Sequence, residues 1–236
     1  YLAELFSFQV HSLALRMENT GLRNFIVGVS GGLDSTSALL VSLAACEKLG
    51  LPRENVIGIT QPGMGTSDRT YFNALAMMEA AGITYRDVSI RPASQQQFED
   101  IGHGGEHDTT YENVQARERS QMLLNIANME AGLVVGSGDL SEEALGFSTF
   151  GGDHLANYNV NACLPKTVMR EMLWFLVGQD VFPELSPYIT EALETPVSPE
   201  LLPPDEEGNI TQKTEDILGP YELHDFFLYH FVKYNM

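Results

Sequence analysis

The 236 residues, 44% hydrophobic and 19% charged, suit one large domain with a well-buried core or two small ones. Thirteen basic against 32 acidic residues leave a formal net charge of -19, a surface that repels phosphate backbones and argues against a DNA- or RNA-binding platform. No apolar run reaches the roughly 18–20 residues of a membrane span, and two cysteines, Cys46 and Cys163, are too few for a disulfide framework, so a reduced, cytoplasmic setting is expected.

Leu2 to Met17 repeats apolar residues at helical spacing and stops at Gly21. Asn24 to Val29 is a short apolar run that predicts a buried strand. After the turn Ser30–Ser35, the residues Ala38, Leu39, Leu40, Leu43 and Ala44 mark a helix ending near Gly50. Val56 to Ile59 predicts a second strand, Ser67 caps a third helix through Ala81, and Tyr85 to Ile90 alternates like another strand. The Gly- and His-rich stretch Gly102–Thr110 precedes a long helix over Tyr111–Ala131, and Leu133 to Gly136 reads as a fourth strand. From Phe182 onward prolines interrupt the pattern, and only Tyr221–Tyr234 reads as a final helix. Strand alternating with helix predicts an α/β fold, a doubly wound parallel sheet with helices on both faces, whose ligand lies beyond the carboxyl ends of the strands.

The segment Gly28-Val29-Ser30-Gly31-Gly32-Leu33-Asp34-Ser35 runs from strand end into helix start. Adjacent glycines let the backbone aim several N–H groups at one anion, and the helix adds its positive dipole end. Ser30, Ser35 and Thr36 offer hydroxyls, and Asp34 offers a carboxylate for a magnesium ion. With no lysine after the glycines, this is not a Walker loop. It matches the SGGxDS signature of the N-type ATP pyrophosphatases, which resemble Rossmann-like folds of the adenine nucleotide α-hydrolase kind. That resemblance implies a loop that grips the β,γ-pyrophosphate of ATP as leaving group.

Four further segments narrow the choice: Pro62 to Ser67, Glu112 to Arg119, Gly136 to Phe147, and Leu164-Pro165-Lys166-Thr167. In this order and spacing the chain resembles NAD synthetase, specifically the synthetase domain of the glutamine-dependent form. The likeness extends through Ser198-Pro199-Glu200-Leu201 and Gly219 to Asp225, so 1–236 reads as one such domain. The resemblance implies a C–N ligase that amidates deamido-NAD through an acyl adenylate, with ATP, magnesium and ammonia as co-reactants and a homodimer or higher homo-oligomer as the working form. It places Ser137, Lys166 and Ser198 with the loop on ATP, with Lys166 and Asp34 catalytic. Asn113, Arg117, Glu142, Phe147, Ser148, Thr149, Phe150 and Asn157 go to deamido-NAD, and Asp34 with Glu142 to the metal. Arg119 is expected to pack or pair with nearby acids. Ser141 is expected to cap the helix that contains Glu142 and Glu143.

Related ammonia-dependent enzymes tend to have lysine where Phe150 stands, which favours the glutamine-dependent branch. The glutaminase domain of that branch is not contained in 1–236, so this chain is expected to use free ammonia or ammonia from that partner domain. His103, Glu106, His107 and Asp108 crowd one loop, but the intervening glycines argue for a polar surface loop rather than a metal site. Two other readings stay open on the residues alone: another amidating pyrophosphatase such as a GMP synthetase, and a nucleotide-binding module without turnover.

Overall fold

The computed structural model describes residues 1–198, 201–202 and 214–234. Helix α1, Leu2–Thr20, ends at Gly21 in the left-handed region with φ 70°. It is followed by strand β1, Asn24–Gly28, and helix α2, Leu33–Lys48. Strand β2 is Val56–Thr60, helix α3 Asp68–Ala81 and strand β3 Thr84–Asp87. The Ser67 hydroxyl caps α3 as expected, accepting from Thr70 N–H. Helices α4, Arg91–Ile101, and α5, Thr109–Met129, lead into β4, Gly132–Gly136. Helix α6 is Leu140–Leu145, β5 Tyr158–Asn159, α7 Lys166–Gly178 and α8 Ser186–Glu194. Two last helices, α9, Thr214–Leu218, and α10, Tyr221–Tyr234, complete the described residues.

The strands form one parallel sheet in the order β3-β2-β1-β4-β5. Strands buried on both faces read as unbroken apolar runs, and β2 is buried at all five positions. Phe25 and Val27 of β1 face one core with Leu13, Leu39, Leu40, Met77, Met169 and Leu173. Ile26 faces the other, with Ile57, Ile59, Val134 and, from α5, Ile126 and Ala127. Helices therefore cover both faces, as the alternating pattern predicts. The chain winds outward from β1 to β3 and then returns to β4 on the other side, so the order reverses between β1 and β4. A crevice opens beyond the strand ends at such a reversal.

Four elements depart from the sequence reading. Helix α4 forms in a stretch the sequence left without an element, and α8 and α9 form where prolines suggested interruption; Pro92 and Pro187 each fall in the first turn of their helix. There the missing N–H has no intrahelical acceptor to lose and the fixed φ suits the helix. Strand β5 has two residues, too few to carry a periodic signal.

Among the described residues, no helix is long and apolar enough to cross a membrane. Cys46 is fully buried in α2, its Sγ 3.2 Å from the Pro52 carbonyl, while Cys163 is exposed. Burial pushes the Cys46 thiol up to about 11, so on the order of one in a thousand is thiolate at pH 8. Iodoacetamide at that pH should label the native chain once, at Cys163, and twice after denaturation, as read by intact mass.

Candidate active site

The turn after β1 is held by its own serines. Val29 N–H extends the ladder to the Ile59 carbonyl at 2.8 Å. Ser30 N–H then donates to Ser35 Oγ at 3.2 Å, the Ser30 and Ser35 hydroxyls lie 3.0 Å apart, and Gly32 N–H donates to Ser30 Oγ at 3.2 Å. Thr36, expected as another hydroxyl toward the ligand, instead turns back: its Oγ1 donates to the Gly32 carbonyl at 2.8 Å. Gly31 has φ 85°, and a Cβ there would lie 2.2 Å from the Thr70 carbonyl oxygen. Glycine is required on both counts. No side chain caps α2 at Gly32. The N–H groups of Leu33, Asp34 and Ser35 start the helix without intrahelical acceptors, and they carry the positive dipole end toward the crevice.

That crevice is a cavity of about 290 Å³ at the β1/β4 reversal. Gly28, Val29, Ser30, Gly32, Leu33, Asp34 and Ser35 form one wall, and Ser137 and Glu142, after β4, form the opposite one. Phe147, Ser148 and Ser198 also line it. Its placement follows from topology: β1 and β4 are sheet neighbours, yet the chain leaves β1 toward β2 and β4 toward β5, in opposite directions along the sheet.

Beside the glycine turn sits the densest charge cluster among the described residues. Lys166, the first residue of α7, is 2% exposed. Its Nζ lies 2.7 Å from Asp34 Oδ1, 2.6 Å from Asp139 Oδ2 and 2.8 Å from Glu142 Oε1. The three carboxylates offer oxygens within 4.8 Å of one another. Asp139 is fully buried and caps α6, its Oδ1 accepting from Glu142 N–H at 2.9 Å, so the sequence expectation that Ser141 caps this helix is corrected. Both are good capping residues, and the helix begins two positions earlier than a Ser141 cap would require. Asp139 Oδ2 has the Lys166 ammonium as its near neighbour and no well-directed hydrogen bond besides.

Burial, and then the negative charge of Asp34, raise the Glu142 carboxyl above its ordinary value. Burial raises Asp139 too, more than the Lys166 charge lowers it. Burial alone would lower the Lys166 ammonium, but Asp34, Glu142 and Asp139 outweigh it and hold the group well above its usual range. One ammonium among three carboxylates leaves formal negative charge over, and Asp34 and Glu142 present theirs to the cavity. Clustered hard oxygen donors with uncompensated charge are what a divalent cation such as magnesium takes.

The other expected contacts divide. Asn113, Arg117, Thr149 and Phe150 come together, but none of them lines the cavity. Thr149 Oγ1 donates to Asn113 Oδ1 at 2.8 Å, and Arg117 Nε donates to the Phe150 carbonyl at 3.0 Å. Phe150 itself is 85% exposed. Asn157 is joined to the sheet, its Oδ1 accepting from Val134 N–H at 2.9 Å, and it lies outside the cavity lining. Arg119, expected to pack or pair, lines the cavity with its Nε donating to the Gln61 carbonyl. Pro199 and Glu200, part of the motif that flags Ser198, lie outside the described residues. The loop holding His103 forms no metal cluster among the described residues; Asp108 caps α5 and contacts His103 Nε2 at 3.1 Å.

Two residues that the sequence did not single out hold the site together. Asn161 is fully buried, and its Nδ2 donates to the Asp34 carbonyl at 3.2 Å and the Ser137 carbonyl at 3.0 Å. Its Oδ1 accepts from Ser37 Oγ and from Gln9 Nε2. One amide thus fixes the two cavity walls relative to each other across the reversal. Asp139 is the other. A lone Asn or Asp in a loop carries no periodic signal, although the carboxylate three residues before Glu142 was visible as a capping box.

The family model for NAD synthase matches residues 6–229. The glutamine-dependent NAD(+) synthetase of Mycobacterium leprae is 39% identical over 98% of this chain, and that of Acinetobacter baylyi is 30% identical over 98%. The chain spans 35% and 41% of those two relatives. Among solved structures, NAD+ synthetase from Burkholderia pseudomallei is similar with a TM-score of 0.70 at 26% identity, covering 97% of this chain and 81% of that one. The NMN synthetase of Francisella tularensis shares the fold, with a TM-score of 0.77 at 24% identity and coverage of 97% and 86%. An uncapped helix start and an acid-ringed lysine at a strand-order reversal, in a chain matched over nearly its whole length, place this protein in the NAD synthase family.

Proposed function

We propose that the chain catalyses ATP-dependent amidation of deamido-NAD to NAD, releasing AMP and pyrophosphate. The observation that carries this reading is the meeting of the glycine turn with Lys166 at the β1/β4 reversal. A carboxylate has no leaving group, so it must first be activated. In the first step a nicotinate carboxylate oxygen bonds to the α-phosphorus while the bond to the β-phosphate oxygen breaks, and pyrophosphate leaves with that electron pair. In the second, ammonia adds to the acyl carbon, AMP departs with the C–O electrons, and a proton is lost from nitrogen.

The chain's own groups support this in defined ways. The amides of Leu33, Asp34 and Ser35 hold the β,γ-phosphates, with the hydroxyls of Ser30 and Ser35 beside them. Lys166 Nζ stabilises charge that grows on the α-phosphate oxygens. Asp34 and Glu142, backed by Asp139, would hold magnesium, which supplies neutralisation of the triphosphate when bound. Ser137, Phe147, Ser148 and Ser198 shape the cavity and exclude water, which would hydrolyse the adenylate. Arg119 on the cavity wall suits an anionic part of a bound nucleotide. Asn113, Arg117, Thr149 and Phe150 act on deamido-NAD as one loop-and-helix unit, Arg117 fixing the Phe150 backbone. In the longer protein a glutaminase domain supplies the ammonia.

Mass spectrometry of products from ATP, magnesium, ammonia and deamido-NAD tests the reading. NAD, AMP and pyrophosphate in equal amounts are expected. ADP with phosphate, or amidation of xanthosine monophosphate in place of deamido-NAD, would refute it.

A further inference from the structure

The seat of Lys166 is completed from the far end of the described chain. Pro165 precedes α7 and offers no side-chain cap. The first N–H groups of α7 are bonded instead by two distant side chains. Lys166 N–H donates to Ser141 Oγ at 2.9 Å, and Thr167 N–H donates to Asp225 Oδ2 at 2.9 Å. Thr167 Oγ1 also donates to Asp225 Oδ2, at 2.7 Å, and Ser141 Oγ donates to Asp225 Oδ1. Asp225 is 6% exposed and Ser141 1%. A carboxylate at this helix start also counters the dipole, which disfavours an ammonium at the first position.

One turn earlier on α10, the buried Tyr221 ring lies 5.5 Å from Lys166 Nζ. Tyr221 N–H is in turn bonded by Glu215 Oε1 of α9 at 3.0 Å, and His224 Nε2 contacts the Leu218 carbonyl at 2.6 Å. Helix α10 is thereby fixed at its start, and it presents a ring to the lysine ammonium and a carboxylate to the start of α7.

We propose that Asp225 is a positioning residue for Lys166, and that α10 reaches the reaction through it. By holding the α7 start and Ser141 together, Asp225 keeps Nζ among Asp34, Asp139 and Glu142, directly behind the cavity-lining carboxylates Asp34 and Glu142. It does not line the cavity, and both its carboxylate oxygens are taken up by Ser141 and Thr167. The inference rests on the assignment of Lys166 above.

Asp225→Asn keeps the volume but cannot accept from Ser141 and Thr167 at once. In the intact protein its kcat should fall about 10- to 100-fold, the range for groups that orient a catalytic ligand from behind. KM for ATP should stay within about twofold, because the phosphate loop is untouched. In a Lys166→Ala background, measured by long incubations, the same change should lower kcat by less than about twofold, since coupled residues are not additive. An equal fold-loss in both backgrounds would mean a general structural role and overturn the inference. So would a near-unchanged kcat for Asp225→Asn alone. Full activity of Lys166→Ala by itself would instead sink the assignment of the lysine. Should Asp225→Asn not fold, Thr167→Val removes one of the same hydrogen bonds at similar volume and is scored in the same two backgrounds.

Discussion

Lys166→Ala should lower NAD formation about 100- to 1000-fold, the usual cost of removing one preorganised charge at a developing anion. The same substitution should have an effect that simple loss of a surface lysine would not. It strips the counter-ion from Asp34, Asp139 and Glu142, which lie within hydrogen-bonding distance of it. Breaking a buried charge cluster this way destabilises a fold by about 3–5 kcal/mol, less where partners reach water. Asp34 and Glu142 are 26% and 23% exposed, so a smaller loss is expected, partly relieved by protonation. Magnesium should then raise the melting temperature of Lys166→Ala more than that of the parent chain, because the cation takes over the missing charge. Thermal melts with and without magnesium measure this directly. An equal shift in both proteins would show that the carboxylates do not act as one site.

Gly31→Ala is the second large effect expected, and it separates backbone geometry from charge. At φ 85° any side chain is strained, at a cost of about 1–2 kcal/mol. The added methyl would also meet the Thr70 carbonyl at 2.2 Å, and backbone on α3 cannot swing aside as a side-chain tip can. Overpacking of this kind adds about 1–3 kcal/mol. Together these predict a melting temperature lower by roughly 4–20 °C for a chain of this size. ATP binding by calorimetry should be lost in the fraction that remains folded. Gly50, with φ 66° and open space where a Cβ would sit, is the matched control. Gly50→Ala should show a smaller strain effect and normal ATP binding.

Much of this arrangement was legible in the residues. The run Phe25-Ile26-Val27 followed by Ser30-Gly31-Gly32 announces strand, turn and helix locally, and the structure forms each within a residue or two of the expected place. Lys166 is marked by its place in the Leu164-Pro165-Lys166-Thr167 segment, and it is buried. What escaped notice was non-local or masked by composition. Helix α4 buries little beyond Ser94 and Phe98, so it has no apolar stripe to read. Asp225 stands in a stretch dominated by Phe226 and Phe227, and its bonds reach back 58 positions to Thr167. Asn161 likewise acts on residues 124 and 127 positions away, Ser37 and Asp34. Periodicity reports which face of an element is buried, but not which buried polar atom will meet which.

A structure of the chain soaked with ATP and magnesium is the most direct test of the central claim. The account predicts the β- and γ-phosphates seated on the amides that open α2, the α-phosphate toward Lys166, and the cation against Asp34. A triphosphate bound elsewhere, with the Ser30–Ser35 turn making no contact to it, would contradict the account.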